Sequence, residues 1–357
     1  MSARKPVIAM DISTTGKGGG PYTSTMNVIH SSLSEKYEYR LFEYKTGMGR
    51  FISFKRIRDI VRQLKDINPD IVHFSGLQLS GFHIAVACQL AGINKSIVVI
   101  HGSSTEAMDI SRIKRWMIYI LEFFTLALTT TFYGVSKYSS QLAVAKFFKW
   151  KSSGYVYNLP IKAMEKCDKF CKSDFGFSDT DIVIVSVARI TRDKGYTVLK
   201  EAIMQLESYP QIKFLIVGNG DYLPLMRAEL SKAERVGRVK FLGYRNDIEK
   251  ILPSCDIFVL PTLHETLSIA LLEASYNKLA LIASYVGGIP EIISHGENGL
   301  LVPPSDIGAL TKAIKTLAEN PLLRKQMGTK AKYMLDNKFS RDLIIGKIDE
   351  IYKKILA

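Results

Sequence analysis

Cysteine is scarce: four residues in 357, at scattered spacing, which excludes a disulfide framework and points to a reducing compartment. No Cys or His pair has zinc-ligand spacing, and Cys167 with Cys171 reads as one face of a helix. Long apolar runs are also missing. No stretch of eighteen residues is both apolar and free of charge, which argues against a spanning helix. The nearest approach, Trp116 to Gly134, is interrupted by Glu122 and fades at Thr129 to Thr131; it reads as a buried helix followed by a buried strand. The opening MSARKPVIAMD carries only a five-residue apolar run, too short for a signal peptide. Internal repeats and low-complexity segments are absent, and 47% hydrophobic with 23% charged residues excludes a disordered chain. Neither common phosphate loop is present. Gly-Lys-Ser/Thr does not occur, and the third glycine of a G-x-G-x-x-G fingerprint starting at Gly16 falls on Pro21.

What is present fits two domains of ordinary size. The net charge of +14 is uneven: residues 1–160 hold 20 Lys and Arg against 10 Asp and Glu, the remainder 28 against 24. A basic half beside a nearly neutral one implies an anionic partner for the first: nucleic acid, an anionic membrane surface or a phosphorylated substrate.

Short apolar strands alternate with helical patterns from end to end. Val7–Ile12, Ile71–Phe74, Ser96–Ile100 and Thr131–Val135 read as strands buried on both faces. Between them, 54–67 places Ile57, Ile60, Val61, Leu64 and Ile67 on one helical face and Lys55, Arg58, Arg62 and Lys65 on the other. The pattern restarts after Asn158-Leu-Pro160 and the polar stretch 162–181, with strands at 182–188, 213–217, 239–242, 256–260, 279–283 and 299–302. Helices follow at about 306–317, 321–335 and 340–356. The expected fold is α/β: two doubly wound, Rossmann-like domains facing a cleft, 1–160 and 161–338, with 339–357 a helix returning to the first domain. Ligands of such sheets bind outside the carboxyl ends of the strands.

Four groups of residues fall at those ends. Gly18, Gly19 and Gly20 follow the first strand, where exposed backbone N–H groups suit a phosphate or carboxylate. A flexible turn explains the same glycines. His101 follows the strand ending at Ile100. Arg189 and Lys194 stand where a buried strand runs into a loop before a helix opening at Gly195, and two cations there suit an anion. The densest group runs from Leu260 to Ala274. Glu265 is expected at a helix start with the N–H groups of Thr266, Leu267 and Ser268 aimed at an anion, and Glu273 two turns on along the same side. Asp179-Thr-Asp181 spells the Asp-x-Asp of divalent-ion sites, but it precedes a strand, away from this edge, and no metal site is read there.

Together these residues resemble the family 4 glycosyltransferases, retaining enzymes of the GT-B fold, of the bacterial surface-polysaccharide or lipopolysaccharide type. The resemblance spans nearly the whole chain and rests on six motifs in order: Ala188-Arg189-Ile190 through Lys194-Gly195, Val217-Gly-Asn-Gly-Asp221, Phe241-Leu-Gly-Tyr244, Glu265 to Glu273, Gly287-Gly-Ile-Pro-Glu291 and Asn298-Gly-Leu-Leu-Val-Pro303. It implies that Arg189 and Lys194 hold the donor diphosphate, Glu273 the ribose hydroxyls and Glu265 the transferred sugar. Thr266, Leu267 and Ser268 would offer backbone donors, Tyr244 would lie where the backbone meets the base, His101 would sit beside the sugar, and Gly18 to Gly20 near phosphate and acceptor. Two departures stand out: Asn158-Leu-Pro-Ile replaces the usual Asn-Gly-hydrophobic-Asp, and His264-Glu265-Thr-Leu-Ser the commoner Glu-Gly/Ser-Phe-Gly. The resemblance further implies a nucleoside-diphosphate hexose or N-acetylhexosamine donor, UDP ahead of GDP. It implies no metal or other cofactor, and a glycan or glycolipid acceptor. In the basic first half, Lys55, Arg58, Arg62 and Lys65, with Arg112, Lys114 and Arg115 beside Trp116, suit anionic lipid head groups, as expected of a cytoplasmic enzyme peripheral on the inner face of the membrane. Rival readings are a nucleotide-sugar 2-epimerase, which needs no acceptor, and a non-catalytic nucleotide-sugar or nucleic-acid binder. The charge carries no recognised nucleic-acid motif.

Overall fold

The computed structural model describes residues 4–13, 20–44, 52–103, 105, 110–159 and 169–357. The chain divides into Met1–Leu159 with Phe339–Ala357, and Pro160–Lys338. Among the described residues each unit holds one six-stranded, all-parallel sheet.

In the N-terminal unit the strands are β1 (Val7–Ser13), β2 (Glu38–Tyr44), β3 (Ile71–Ser75), β4 (Ser96–Ile100), β5 (Thr131–Gly134) and β6 (Ser152–Tyr155). Their order is β2-β1-β3-β4-β5-β6, so the sheet reverses direction of growth between β1 and β3. The helices are α1 (Gly20–Ile29), α2 (Phe54–Ile67), α3 (Leu79–Leu90), α4 (Arg112–Leu128), α5 (Lys137–Ser140) and α6 (Ala143–Phe147). The central strands β3, β4 and β5 are the continuous apolar runs, buried along almost their whole length. The sequence reading passes over β2 and β6 because both are edge strands. Glu38-Tyr-Arg-Leu-Phe-Glu-Tyr44 buries only part of one face, and Ser152-Ser-Gly-Tyr155 has little to bury. On α2, Ile57, Ile60 and Leu64 enter the core while Lys55, Arg58, Arg62 and Lys65 are exposed.

The C-terminal unit has β7 (Ile182–Val187), β8 (Ile212–Val217), β9 (Val239–Gly243), β10 (Ile257–Leu260), β11 (Ala280–Ser284) and β12 (Gly299–Val302), in the order β12-β11-β10-β7-β8-β9. Its helices are α7 (Tyr196–Gln205), α8 (Leu223–Glu229), α9 (Ser231–Arg235), α10 (Ile248–Ile251), α11 (Ile269–Tyr276), α12 (Ile307–Glu319) and α13 (Pro321–Lys338). Here the reversal lies between β7 and β10.

Helix α14 (Arg341–Leu356) closes the N-terminal unit. Ile344, Ile345, Ile348, Ile351 and Tyr352 are buried, at about 2 kcal/mol of burial each. Tyr352 Oη lies 2.6 Å from Nδ1 of His73, whose Nε2 lies 3.0 Å from Tyr133 Oη. His73 is thus a core residue, and burial drops its pKa to about 3. Asp349 receives Lys36 Nζ at 2.7 Å and Tyr37 Oη at 2.8 Å. Burial raises its pKa, but these partners and Lys353 outweigh that and hold it at about 2.

A candidate donor site at the carboxyl edge of the C-terminal sheet

At the β7/β10 reversal, the loops leaving those strands diverge to opposite faces and open a crevice. Glycine lets the surrounding loops approach. A Cβ on Gly195 (φ +74°) would stand 1.7 Å from Pro261 O, and one on Gly218 (φ +138°) 1.9 Å from Ala188 O. Backbone bonds finish the joint: Leu263 N–H donates to Asp193 O (2.8 Å), and Ile190 N–H to Asn219 O (2.9 Å).

Across the crevice, Lys194 Nζ meets Glu265 Oε2 at 3.0 Å, both side chains largely buried. Glu265 is held a second time, its carbonyl accepting from Gly288 N–H at 3.1 Å. Its Oε1 accepts from Thr266 N–H at 3.2 Å. Arg189 is exposed and has no acid at ion-pair distance among the described residues. One cation is therefore clamped and one is open.

Helix α11 begins at Ile269, four residues after Glu265, so the expected helix start at Glu265 is corrected. Ser268 is the N-cap, its Oγ accepting from Leu271 N–H at 3.2 Å. Thr266, Leu267 and Ser268 form the approach to the helix, with Thr266 and Ser268 buried. The two-turn argument that placed Glu265 and Glu273 on one helical side fails for the same reason, since only 269–273 of that interval is helical. Glu273 sits in the second turn of α11; burial, with Glu249 of α10 adding repulsion, pushes its pKa up to about 7. Tyr244 is exposed, just after Gly243 (φ +65°), whose carbonyl accepts from Gly218 N–H at 2.8 Å.

Asp179 and Asp181 precede β7 at the opposite edge, where Asp181 accepts from Ser178 N–H at 2.8 Å. No cluster of three His, Cys, Asp or Glu suited to a metal occurs among the described residues. Cys171 leads into a short 3₁₀ turn, Lys172–Phe175, and not onto a helical face; Cys167 lies outside the described residues.

In the N-terminal unit, His101 stands at the carboxyl end of β4 with Nε2 3.3 Å from Ser75 Oγ. Burial lowers its pKa to about 4, so the ring is neutral at pH 7. The sequence reading missed its neighbours. Ser75 N–H, at the end of β3, donates to Asp11 Oδ1, near the end of β1, at 2.9 Å. Burial pushes Asp11 up to about 7 against that hydrogen bond. The signal was available: Asp11 is the one acid inside the apolar run Val7–Ile12. Gly18 and Gly19 lie outside the described residues; Gly20 opens α1.

Residues 169–334, nearly all of the C-terminal unit, match the family model for glycosyl transferases group 1. The match covers just under half of the chain, and in this unit the chain is similar to the group 1 glycosyltransferases. The chain is 27% identical over 186 residues to the N-acetyl-alpha-D-glucosaminyl L-malate synthase of Bacillus anthracis, covering 52% of this chain and 49% of that one. It spans about half the length of that relative, and 79% of a second. The second is the UDP-Gal:alpha-D-GlcNAc-diphosphoundecaprenol alpha-1,3-galactosyltransferase of Escherichia coli, 24% identical over 310 residues and 84% of this chain. Among solved structures, Anabaena Alr3699/HepE in complex with UDP and glucose is 19% identical, covers 98% of this chain and all of its own, and has a TM-score of 0.79. That likeness gives the chain the GT-B architecture of two Rossmann-like units.

Proposed function

We propose that this protein is a glycosyltransferase that moves a hexose or N-acetylhexosamine from a nucleoside-diphosphate sugar to a lipid-linked or lipopolysaccharide acceptor, with retention of configuration and without a metal. The observation that carries the reading is the Lys194–Glu265 pair spanning the β7/β10 crevice with Arg189 open beside it. A diphosphate arriving there meets two cations and the amino end of α11, which offset the charge that develops as it leaves. Glu265 then hydrogen-bonds sugar hydroxyls, and Glu273 the ribose. Burial pushes Glu273 up to about 7, so near neutral pH its carboxyl can be protonated and donate to a ribose hydroxyl as well as accept from one. In the step itself the bond from the anomeric carbon to the phosphate oxygen breaks. The acceptor oxygen bonds that carbon on the same face, and its proton passes to the leaving phosphate. His101, neutral, is assigned to the transferred sugar as a hydrogen-bonding group.

UDP is favoured as donor because the Escherichia coli relative is named for UDP-Gal and the Anabaena structure holds UDP. The lipid-linked acceptor is favoured by that relative's diphosphoundecaprenol substrate. No described helix is long and apolar enough to cross a membrane, so a peripheral location is proposed. The test is thermal stability against UDP, GDP, ADP and their sugars, with EDTA present. A ligand bound only by the native state raises the melting temperature, by about 2.7 kcal/mol of stability at a hundredfold excess over Kd. A rise with UDP that is lost in Arg189→Ala/Lys194→Ala supports the reading. No rise with any nucleotide rejects it.

A further inference from the structure

The segment 112–157 holds seven Lys and Arg but one acid, Glu122, and that carboxylate is buried, accepting from Ser103 Oγ at 2.7 Å. The sequence reading treats the helix here as buried, and the structure corrects this. Ile113, Trp116, Met117 and Phe124 of α4 are exposed, Ile113 to 75% and Trp116 to 66%. With the partly exposed Ile120 they fall within about 100° of the helix circumference, one continuous stripe. Arg112 and Lys114 flank it, while Glu122, Thr125 and Leu126 face inward.

The stripe continues off the helix. Phe124 meets Phe123 at 5.8 Å between ring centroids, Phe123 meets Phe147 of α6 at 5.2 Å, and Phe147 meets Trp150 at 6.0 Å. Phe147 is 53% and Trp150 67% exposed, and the exposed Lys146 and Lys149 lie between and beside them. Soluble surfaces rarely leave so many large apolar groups contiguous.

Three occupants can be compared. A second copy would bring two acid-free basic surfaces together. A nucleic acid would satisfy the cations and stack on the aromatics, but it would leave Ile113, Met117 and Ile120 uncovered. A bilayer with anionic headgroups accepts all three features: aliphatic groups enter the acyl boundary, tryptophans sit at headgroup level, and Lys and Arg reach phosphates. We propose that the face built by α4, α6 and Trp150 docks on an anionic membrane surface, α4 lying in its plane. This deepens the lipid-linked acceptor reading given above, by naming the surface that would bring the enzyme to it. Helix α2, whose exposed cations alternate with Asp59 and Asp66, lacks such a stripe.

The chain has two tryptophans, and both are on this face. Intrinsic fluorescence of the full chain, titrated with phosphatidylglycerol/phosphatidylcholine vesicles, is therefore a direct readout. We expect a blue shift, quenching by acyl-brominated lipid, and no change with phosphatidylcholine alone. Ile113→Ser/Met117→Ser keeps both reporters and should weaken partitioning about tenfold. Arg58→Ser/Arg62→Ser on α2 should leave it near wild type. Vesicle binding without a blue shift would overturn the proposal, as would a blue shift produced by single-stranded RNA but not by vesicles. A shift that appears on self-association without lipid would overturn it too. UDP-dependent stabilisation of the same preparations is scored separately: its absence counts against the donor reading, and its retention in the α4 variant shows an intact donor unit.

Discussion

The two carboxyl edges of this protein treat charge in opposite ways. At the β7/β10 reversal, Lys194 and Glu265 face each other as an ion pair at 3.0 Å, with Arg189 open beside them. At the β1/β3 reversal, Asp11 and His101 converge on Ser75, and burial moves both toward their neutral forms. On the proposed function the first edge would receive a diphosphate, which needs cations already in place. The second would handle sugar hydroxyls, which need hydrogen bonds without a field that would trap the anion in the wrong place. The same doubly wound architecture serves both because the crevice is set by strand order and the chemistry by the loops.

The contrast is broken most severely by removing the cations. Arg189→Ala/Lys194→Ala should lower kcat/KM about a thousandfold or more and abolish nucleotide-dependent stabilisation, as steady-state kinetics and melting curves will show. Gly195→Ala comes next. It needs φ +74° and collides with Pro261 O, and should cost about 3 kcal/mol in a denaturant titration. Gly243→Ala, at φ +65° with no atom within 4 Å of the added Cβ, should cost only about 1 kcal/mol, separating collision from backbone strain.

On the neutral edge, His101→Ala should reduce kcat about a hundredfold while UDP affinity stays within about twofold, because the ring carries no charge to the diphosphate. The His101 ring, followed by NMR, should show no titration between pH 5 and 8. A large loss of UDP affinity in this variant would erase the distinction between the edges.

Glu273 sharpens the comparison from within the charged site. Its pKa is raised from 4.5 to about 7, so the native state holds a proton that the unfolded chain releases, and stability falls as pH rises through that window. Glu273→Gln should stabilise the free protein by about 1–2 kcal/mol at pH 8, with no gain below pH 4.5, while weakening nucleotide binding. Urea titrations at the two pH values read the first effect, and UDP titration the second.

Much of this was legible from the chain. Central strands declare themselves because burial on both faces demands unbroken apolar runs, and α2 because its period matches a half-buried helix. Arg189, Lys194 and Glu265 stood out as charges in the loops that leave strands, and Glu273 as one on the apolar helix that follows. Edge strands β2 and β6 did not, since they bury too little to leave a pattern. Asp11 was legible as the one acid in an apolar run, but its partner Ser75, 64 residues on, was not. The start of α11 was misplaced because the Ser268 cap is one hydroxyl among several candidates.

Sequence alone determined the alternation of strand and helix, the restart that makes two units, and the residue types available at each loop, since these follow from local periodicity and composition. Only tertiary structure decided which strands adjoin, and hence where each sheet reverses. That adjacency brings Lys194 to Glu265 and Asp11 to Ser75, pairs 71 and 64 residues apart. It also decided which face of α4 the core leaves open, since a hydrophobic stripe looks the same in a sequence whether protein or solvent lies against it.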